Sequence, residues 1–253
     1  RDETVHRLRR RTKKLRALLR LVRPHFDLYA PESAAFRDMA RLLSSSRDAT
    51  VIQHTLERLL RAPDSGVLLD DATRLRPGIS EETAAVEAAL STVRERLGAA
   101  RERAMGWTLD TEGLDAIGDG QEKSYRRARK AMAAARAEPV AERLHEWRKR
   151  VKDHGFHRGL LRRALPHKLR KNQAGIDELG ELLGDLNDLA LLRQHMRAAG
   201  GDVPPSTARA RLFAAIGRQE RALIEQSLDA GARLFQRKPK AMARDVRQRL
   251  AAM

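Results

Sequence analysis

The sequence predicts an all-α protein, on three observations. Aromatic residues make up only 4% of the 253 positions while 34% are charged, the balance of helices built from Ala, Leu, Arg and Glu with one wet face, not of a strand sandwich. Apolar residues recur at steps of three and four in one segment after another, the period of an amphipathic helix. No segment alternates polar and apolar for more than a few residues. With 42% hydrophobic residues the chain can bury a sizeable core, as one large domain or two small ones.

The first helix carries Val5, Leu8, Leu15, Leu19 and Val22, with Thr12 in register, and stops at Pro24. "SAAFRDMARLL" (Phe36, Met39, Leu43) and "VIQHTLERLL" (Ile52, Leu56, Leu59) read as two helices split near "SSSRD", where Ser46 or Asp48 is placed to cap the second. Pro63, Gly66, Pro77 and Gly78 mark an irregular connector, and Ser80 is placed to cap a helix through Val86, Leu90, Val93 and Leu97. After "GDGQEK" comes a basic helix, "SYRRARKAMAAARA", ending before Pro139, which suits the first turn of the next helix with Leu144, Trp147 and Val151. Pro166 ends that helix. "LRKNQAGIDELGELLGDL" and "NDLALLRQHM" are expected as a pair, "GGDVPPS" breaks the chain, and a long helix from about Ser206 to Phe235 precedes a short tail after Pro239.

The absence of cysteine excludes disulfides, Cys-ligated zinc and thiol nucleophiles. No apolar run approaches the roughly 20 residues of a membrane span, and "RDETVHRLRR" lacks the apolar core of a signal peptide, so a soluble, cytoplasmic protein without a membrane partner is expected. Because the chain begins with Arg1, it is expected to be a piece of a longer protein.

The net charge of +17 is concentrated. Residues 1 to 23 hold ten Lys/Arg against Asp2 and Glu3, and residues 123 to 152 hold eleven against Glu138, Glu142 and Glu146, +8 in each case, leaving +1 for the other 200 residues. Neighbouring like charges repel until a ligand neutralises them, so this clustering points to a polyanion. The two basic segments also match each other. His6, Arg9, Arg10 and Lys13 align with His145, Arg148, Lys149 and Lys152 at a shift of 139, and "LLSSSRDATV" aligns with "LLGDLNDLAL" at a shift of 140. Two segments with nearly the same offset predict an internal duplication, with halves of about residues 1–118 and 119–253.

In the first helix His6, Arg9, Lys13, Arg16 and Arg20 form the apolar seam moved by one residue, about 100° of rotation, so the stripe flanks the core and faces a cleft or a neighbouring helix. His145, Arg148 and Lys152 stand in the same relation to Leu144, Trp147 and Val151. Lys123, Arg126, Arg127 and Lys130, with Arg129 beside them, form a third stripe. A cation roughly every 5 Å along a helix suits a linear polyanion better than one phosphate. The plainer alternative is a set of solvated faces ion-paired to the acidic run Asp177, Glu178, Glu181, Asp185 and Asp188.

"VHRLRRRTKKLRALLRL", "SYRRARKAM", "LHEWRKRVKDHGF" and the paired "LLSSSRD" and "LLGDLND" together resemble the CHAD family, the conserved histidine α-helical domain, over nearly the whole chain. The resemblance implies a single CHAD-like domain over residues 1–253, made of two pseudo-symmetric helical bundles around a basic central groove that binds inorganic polyphosphate, often on polyphosphate granules. By position, the implied contacts are His6, Arg9, Arg10, Lys13 and Arg16; Tyr125, Arg126, Arg127 and Arg129; and His145, Arg148, Lys149 and Lys152. Arg20, Lys123 and Lys130 join them from the stripes. Against the family's pattern, Asp153 and Gly155 replace bases in the second stripe, Phe156 stands where tyrosine is common, and Ser44 replaces a glycine. The family's first helix has no counterpart at the N-terminus.

The expected function is therefore non-catalytic polyphosphate binding without cofactor, catalytic residue or bound metal. Two alternatives stay open. Non-specific nucleic-acid binding also rests on phosphate contacts, but single-strand binders add stacking aromatics, and Tyr125 is nearly the only aromatic near the bases. A metal-dependent enzyme acting on polyphosphate or triphosphates would need clustered carboxylates or a phosphate loop. The Walker and E-x-E-x-K patterns are absent, His154 and His157 have helical metal-ligand spacing without a third ligand, and Asp48 and Asp188 sit where helix caps belong.

Overall fold

The apolar seam of residues 5 to 22 forms the first of nine α-helices among the described residues, which contain no strand. The computed structural model of the chain describes residues 2–43, 47–61, 83–113, 115–161, 167–198 and 207–251. The helices are α1 (Asp2–Val22), α2 (Tyr29–Leu42), α3 (Arg47–Leu60), α4 (Thr83–Ala104), α5 (Asp115–Ala137), α6 (Ala141–Leu161), α7 (His167–Ala198), α8 (Thr207–Leu234) and α9 (Pro239–Ala251). A 3-10 turn, Arg23–His25, follows α1 at Pro24. The caps expected at Ser46 and Ser80, the connector with Pro63 to Gly78, Pro166 and "GGDVPPS" lie outside the described residues, as does the side chain of Asp48.

The long C-terminal helices pack in chain order, α5 on α6, α6 on α7 and α7 on α8, with α9 returning to α5. Their core is built on Trp147, Val151, Leu179, Leu183, Leu189, Leu192, Leu212, Ile216 and Phe235, each at most 2% exposed. A smaller core joins α1, the 3-10 turn, α2 and α4 through Leu19, Phe26, Phe36, Met39 and Val93. The cores do not divide at the middle of the chain, because α3 lies on α7 and adds Ile52, Leu56 and Leu59 to the larger one. On α2, Glu32 is buried and held by Arg103 of α4 through two bonds of 2.7 and 2.9 Å. No described helix is long and apolar enough to cross a membrane.

Three elements differ from expectation. "LRKNQAGIDELGELLGDL" and "NDLALLRQHM" form one 32-residue helix instead of a pair, because Leu183, Leu186, Leu189 and Leu192 continue one buried seam through Asn187 and Asp188. Asp188 is therefore mid-helix and caps nothing. The tail after Pro239 is itself helical, with Pro239 at the first position, where a missing N–H costs no bond. Finally, "GDGQEK" does not precede the basic helix but forms part of it, since α5 starts at Asp115.

The reason for that last difference is a close approach. Gly120 packs so tightly on the last turn of α1 that a Cβ there would fall inside the Leu21 carbonyl. Gly231 of α8 does the same against the Trp147 ring, which a Cβ would meet at 2.6 Å. Gly120→Ala gains roughly 1 kcal/mol of helix propensity. The clash is with backbone, which cannot rotate away, and overpacking costs about 1–3 kcal/mol. Net destabilisation is therefore expected in urea unfolding, together with a wider α1–α5 spacing; a stabilised variant would contradict the packing described.

Candidate functional site: a cationic cleft between α1, α5 and α6

Helix α1 is buried on two sides. Val5, Thr12 and Leu19 face the smaller core, while Ala17 and Leu21, 0% and 1% exposed, stand about half a turn away. This second face meets α5 and α6 through Gly120 at Leu21 and through His157, whose Nε2 donates to the Ala17 carbonyl at 2.8 Å. The basic stripe runs in the angle between the two buried faces, so it flanks the core for a structural reason. Arg9 is half-buried and donates to the Leu43 carbonyl at the end of α2. Arg16 is also half-buried, and its guanidinium is pushed below its usual range by burial and then by Arg20.

At its C-terminal end the stripe opens into a cleft lined by Arg20, Arg23, Gly120, Lys123, Ser124, Arg127, Arg150, Asp153 and His157. Five cations thus come from α1, the 3-10 turn, α5 and α6. Lys123 is held below the ordinary lysine value by burial, then by Arg127, Arg23 and Arg126. Arg127 is lowered by burial, then by Arg150 and Arg23. Each lowered value has the same meaning: these cations lack enough opposite charge around them and repel one another, which an anionic ligand would relieve. One carboxylate, Asp153, accepts from Arg20 at 2.6 Å and lies 3.9 Å from Arg150.

Two neutral histidines of α6 brace the cleft, His157 in its wall and His154 behind it. The Ser124 hydroxyl donates to the Gln121 carbonyl at 2.8 Å and lies 2.9 Å from His154 Nδ1, tying α5 to α6. Burial, then Arg158 and His157, holds His154 well below its ordinary value. Burial lowers His157 to about 4, although its bond to Ala17 opposes the shift. One nitrogen of each ring is thus engaged, His154 Nδ1 with Ser124 and His157 Nε2 with Ala17, while His157 Nδ1 is buried without a hydrogen-bond partner; among the described residues no group of three or more His, Cys, Asp or Glu could hold a metal ion.

Of the sixteen residues expected to contact ligand, Arg20, Lys123 and Arg127 line this cleft, with Arg9 and Arg16 behind Arg20 along α1. His6, Arg10, Lys13 and Lys130 are exposed, and Arg126 is exposed and paired with Glu122 at 3.3 Å. The second stripe turns elsewhere, along α7. His145 Nδ1 lies 2.6 Å from Asn187 Oδ1, and the side chains of Arg148 and Lys152 lie over Gly184 and Gly180. Lys149 is exposed and paired with Glu146 at 2.6 Å. Tyr125 alone of the sixteen is buried: its ring packs on Phe235 and His154 at 5.2 and 5.5 Å, and its hydroxyl donates to the Arg237 carbonyl. A tyrosine one position from an apolar seam has an aromatic body to bury, and here the core takes it; half-buried Arg129 lies close enough to act on it electrostatically.

Two lining cations fall outside the expected set, Arg23 and Arg150. Arg23 was legible: every member of the α1 stripe follows a seam residue by one, and Arg23 follows Val22 in the same way. Arg150 precedes Val151 instead, which puts it on the opposite flank of α6 from Arg148 and turns it toward α1 and α5.

The described residues thus define an all-helical class of protein. The family model for the CHAD domain matches residues 1–197, and the chain belongs to the CHAD family. No curated protein and no solved structure matches it. Helices α8 and α9 lie beyond the matched residues, yet Leu212, Ile216, Phe235 and Met242 are buried in the larger core.

Proposed function

We propose that the protein binds inorganic polyphosphate without chemical turnover, at the cleft lined by Arg20, Arg23, Lys123, Arg127 and Arg150. The observation that carries this reading is the convergence of five cations from separate stretches of chain around a single carboxylate. The CHAD family is associated with polyphosphate-related proteins, which favours phosphate chains as the anion. The stripe from Arg20 back to His6 extends the cleft by about 21 Å along α1, a length suited to a linear ligand. An internal duplication fits the pairing of α1 with α6 and α3 with α7. It also fits Arg9 at the Leu43 carbonyl and its counterpart Arg148 over Gly184, next to Leu183. Residence on polyphosphate granules would follow from such binding.

Nucleic acid is disfavoured as the partner because Tyr125 is in the core and the half-buried Tyr29 ring at the cleft is covered by Arg23, whose guanidinium lies 4.6 Å from its centre, so neither offers an open stacking surface. The test is titration with polyphosphates of increasing length, followed by thermal unfolding and calorimetry. Stabilisation should grow with chain length, and log affinity should fall linearly with log salt. Equal or tighter binding of single-stranded DNA at matched phosphate would replace polyphosphate with nucleic acid. Reproducible phosphate release with Mg²⁺ or Mn²⁺ would show an enzyme instead.

A further inference from the structure

Among the described residues that line the cleft, Asp153 is the only carboxylate. Its Oδ1 takes a charge-assisted bond from Arg20 at 2.6 Å, its Oδ2 lies 3.9 Å from Arg150, and both Arg20 and Asp153 keep only 18% of their side-chain surface exposed. The groups facing it come from every packed element: Arg16 and Arg20 from α1, Arg23 from the 3-10 turn, Lys123 and Arg127 from α5, and Arg150 and His157 from α6. Glu146, one turn before Arg150, draws that guanidinium the other way at 2.5 Å. Asp153 therefore occupies the place among the guanidinium groups that a phosphate oxygen would take.

We infer that Asp153 is a built-in counter-anion that a phosphate chain displaces from Arg20, and that the displacement takes up a proton on the Asp153 carboxyl. This deepens the polyphosphate reading and rests on it. Two anions cannot share Arg20 without repelling each other across a half-buried site. Adding a solvent proton to the carboxylate removes the repulsion, frees Arg20 for the phosphate and leaves an O–H able to donate to a phosphate oxygen. Burial already pushes the Asp153 carboxyl above its ordinary value, against the pull of Arg20, Arg150 and Arg16, and a phosphate drawn to those cations pushes it in the same direction. Linkage then requires tighter binding as pH falls. His157, one turn further along α6, could accept the proton instead, and the variants separate the two.

The experiment is calorimetric titration of the full chain with long-chain polyphosphate, whose internal phosphates stay ionised, from about pH 8 to about pH 5.5. At about pH 6 it is repeated in two buffers of different ionisation heat. The wild-type protein should bind about tenfold more tightly at the acid end and take up close to one proton. Asp153→Asn should bind about tenfold more tightly than wild type at pH 8, with affinity nearly independent of pH. Asp153→Ser, with thermal unfolding of both variants without ligand, guards against a folding defect in one of them. Weaker binding by both folded variants, the same proton uptake in Asp153→Asn, or no uptake by the wild type would overturn the inference while leaving polyphosphate binding intact. No binding by any of the three proteins at low salt would overturn both.

Discussion

Lys123→Gln combined with Arg127→Gln is expected to weaken polyphosphate binding at least about a hundredfold while leaving the fold as stable as before or slightly more so. A hydrogen bond to a charged group contributes about 1.5–3 kcal/mol, which is roughly ten- to a hundredfold in affinity for each cation removed. The stability effect has the opposite sign, because burial lowers both cations and neighbouring cations lower them further, Arg127 and Arg23 acting on Lys123, and Arg150 and Arg23 on Arg127. Glutamine keeps the first two methylenes of each stem and a polar end, so the part of the side chain nearest the backbone still covers the cleft wall. The salt dependence should also flatten, by about 0.7 in log–log slope for each phosphate no longer neutralised. Arg143→Gln is the control: Arg143 is exposed, paired with Glu138 at 2.7 Å and not among the cleft residues, and its loss should change affinity no more than about twofold. A double variant that binds within about threefold of wild type would remove this cleft as the site.

Opposite signs in binding and stability separate a ligand site from a structural ion-pair network. In a network, removing one cation strands its acid, as removal of Arg103 would strand buried Glu32, and stability falls. In the cleft the cations outnumber the acids, and assembling them costs stability that only a ligand returns. The acidic run of α7, the plainer partner for the bases, is engaged elsewhere at two of its members. Asp185 pairs with Arg58 of α3 at 2.7 Å, and Asp177 accepts from Gln173 at 2.9 Å.

How much of this was legible in the sequence follows from what periodicity encodes. A seam such as Val5, Leu8, Leu15 and Leu19 fixes which face of a helix is buried, and the seams of α1, α2, α3 and α6 are buried or partly buried as their spacing requires. Periodicity does not name the neighbour. Nothing local says that α3 leaves its own half for α7, or that the α6 stripe of His145, Arg148 and Lys152 turns along α7 while Arg150 turns to the cleft. Glycine misleads in a related way. Gly118 and Gly120 read as a break because their cost in a helix is local, whereas their use, the contact of Gly120 with Leu21, lies about a hundred residues away in sequence. Arg23 needed only the one-residue offset carried one step further, past the point where Pro24 ends the α-helix.

The second large effect is acid destabilisation between about pH 6.5 and pH 4, driven by His157. Its ordinary value is 6.5 and burial lowers it to about 4 in the folded protein. Above pH 6.5 both folded and unfolded chains hold it neutral, and stability is complete. As pH falls, the unfolded chain takes up its proton first, so stability is lost through the window and the loss levels off below 4. The gap of about 2.5 units corresponds to roughly 3 kcal/mol. That is a large share of the 5–15 kcal/mol typical of a domain. His154 is lowered further by its complete burial and adds to the loss. Asp153 and Glu220, both raised by burial, act in the opposite direction, contributing stability at acid pH that fades as pH rises. The His157 contribution is isolated by comparing wild type with His157→Gln, whose amide can still donate to the Ala17 carbonyl. Urea unfolding at about pH 8, 6, 5 and 4.5 should show wild-type stability falling steadily while the variant, less stable at pH 8, loses distinctly less. Parallel curves for the two proteins would mean that the imidazole titrates in the folded state as it does in water, and that the joint between α1 and α6 is wetter than its packing implies.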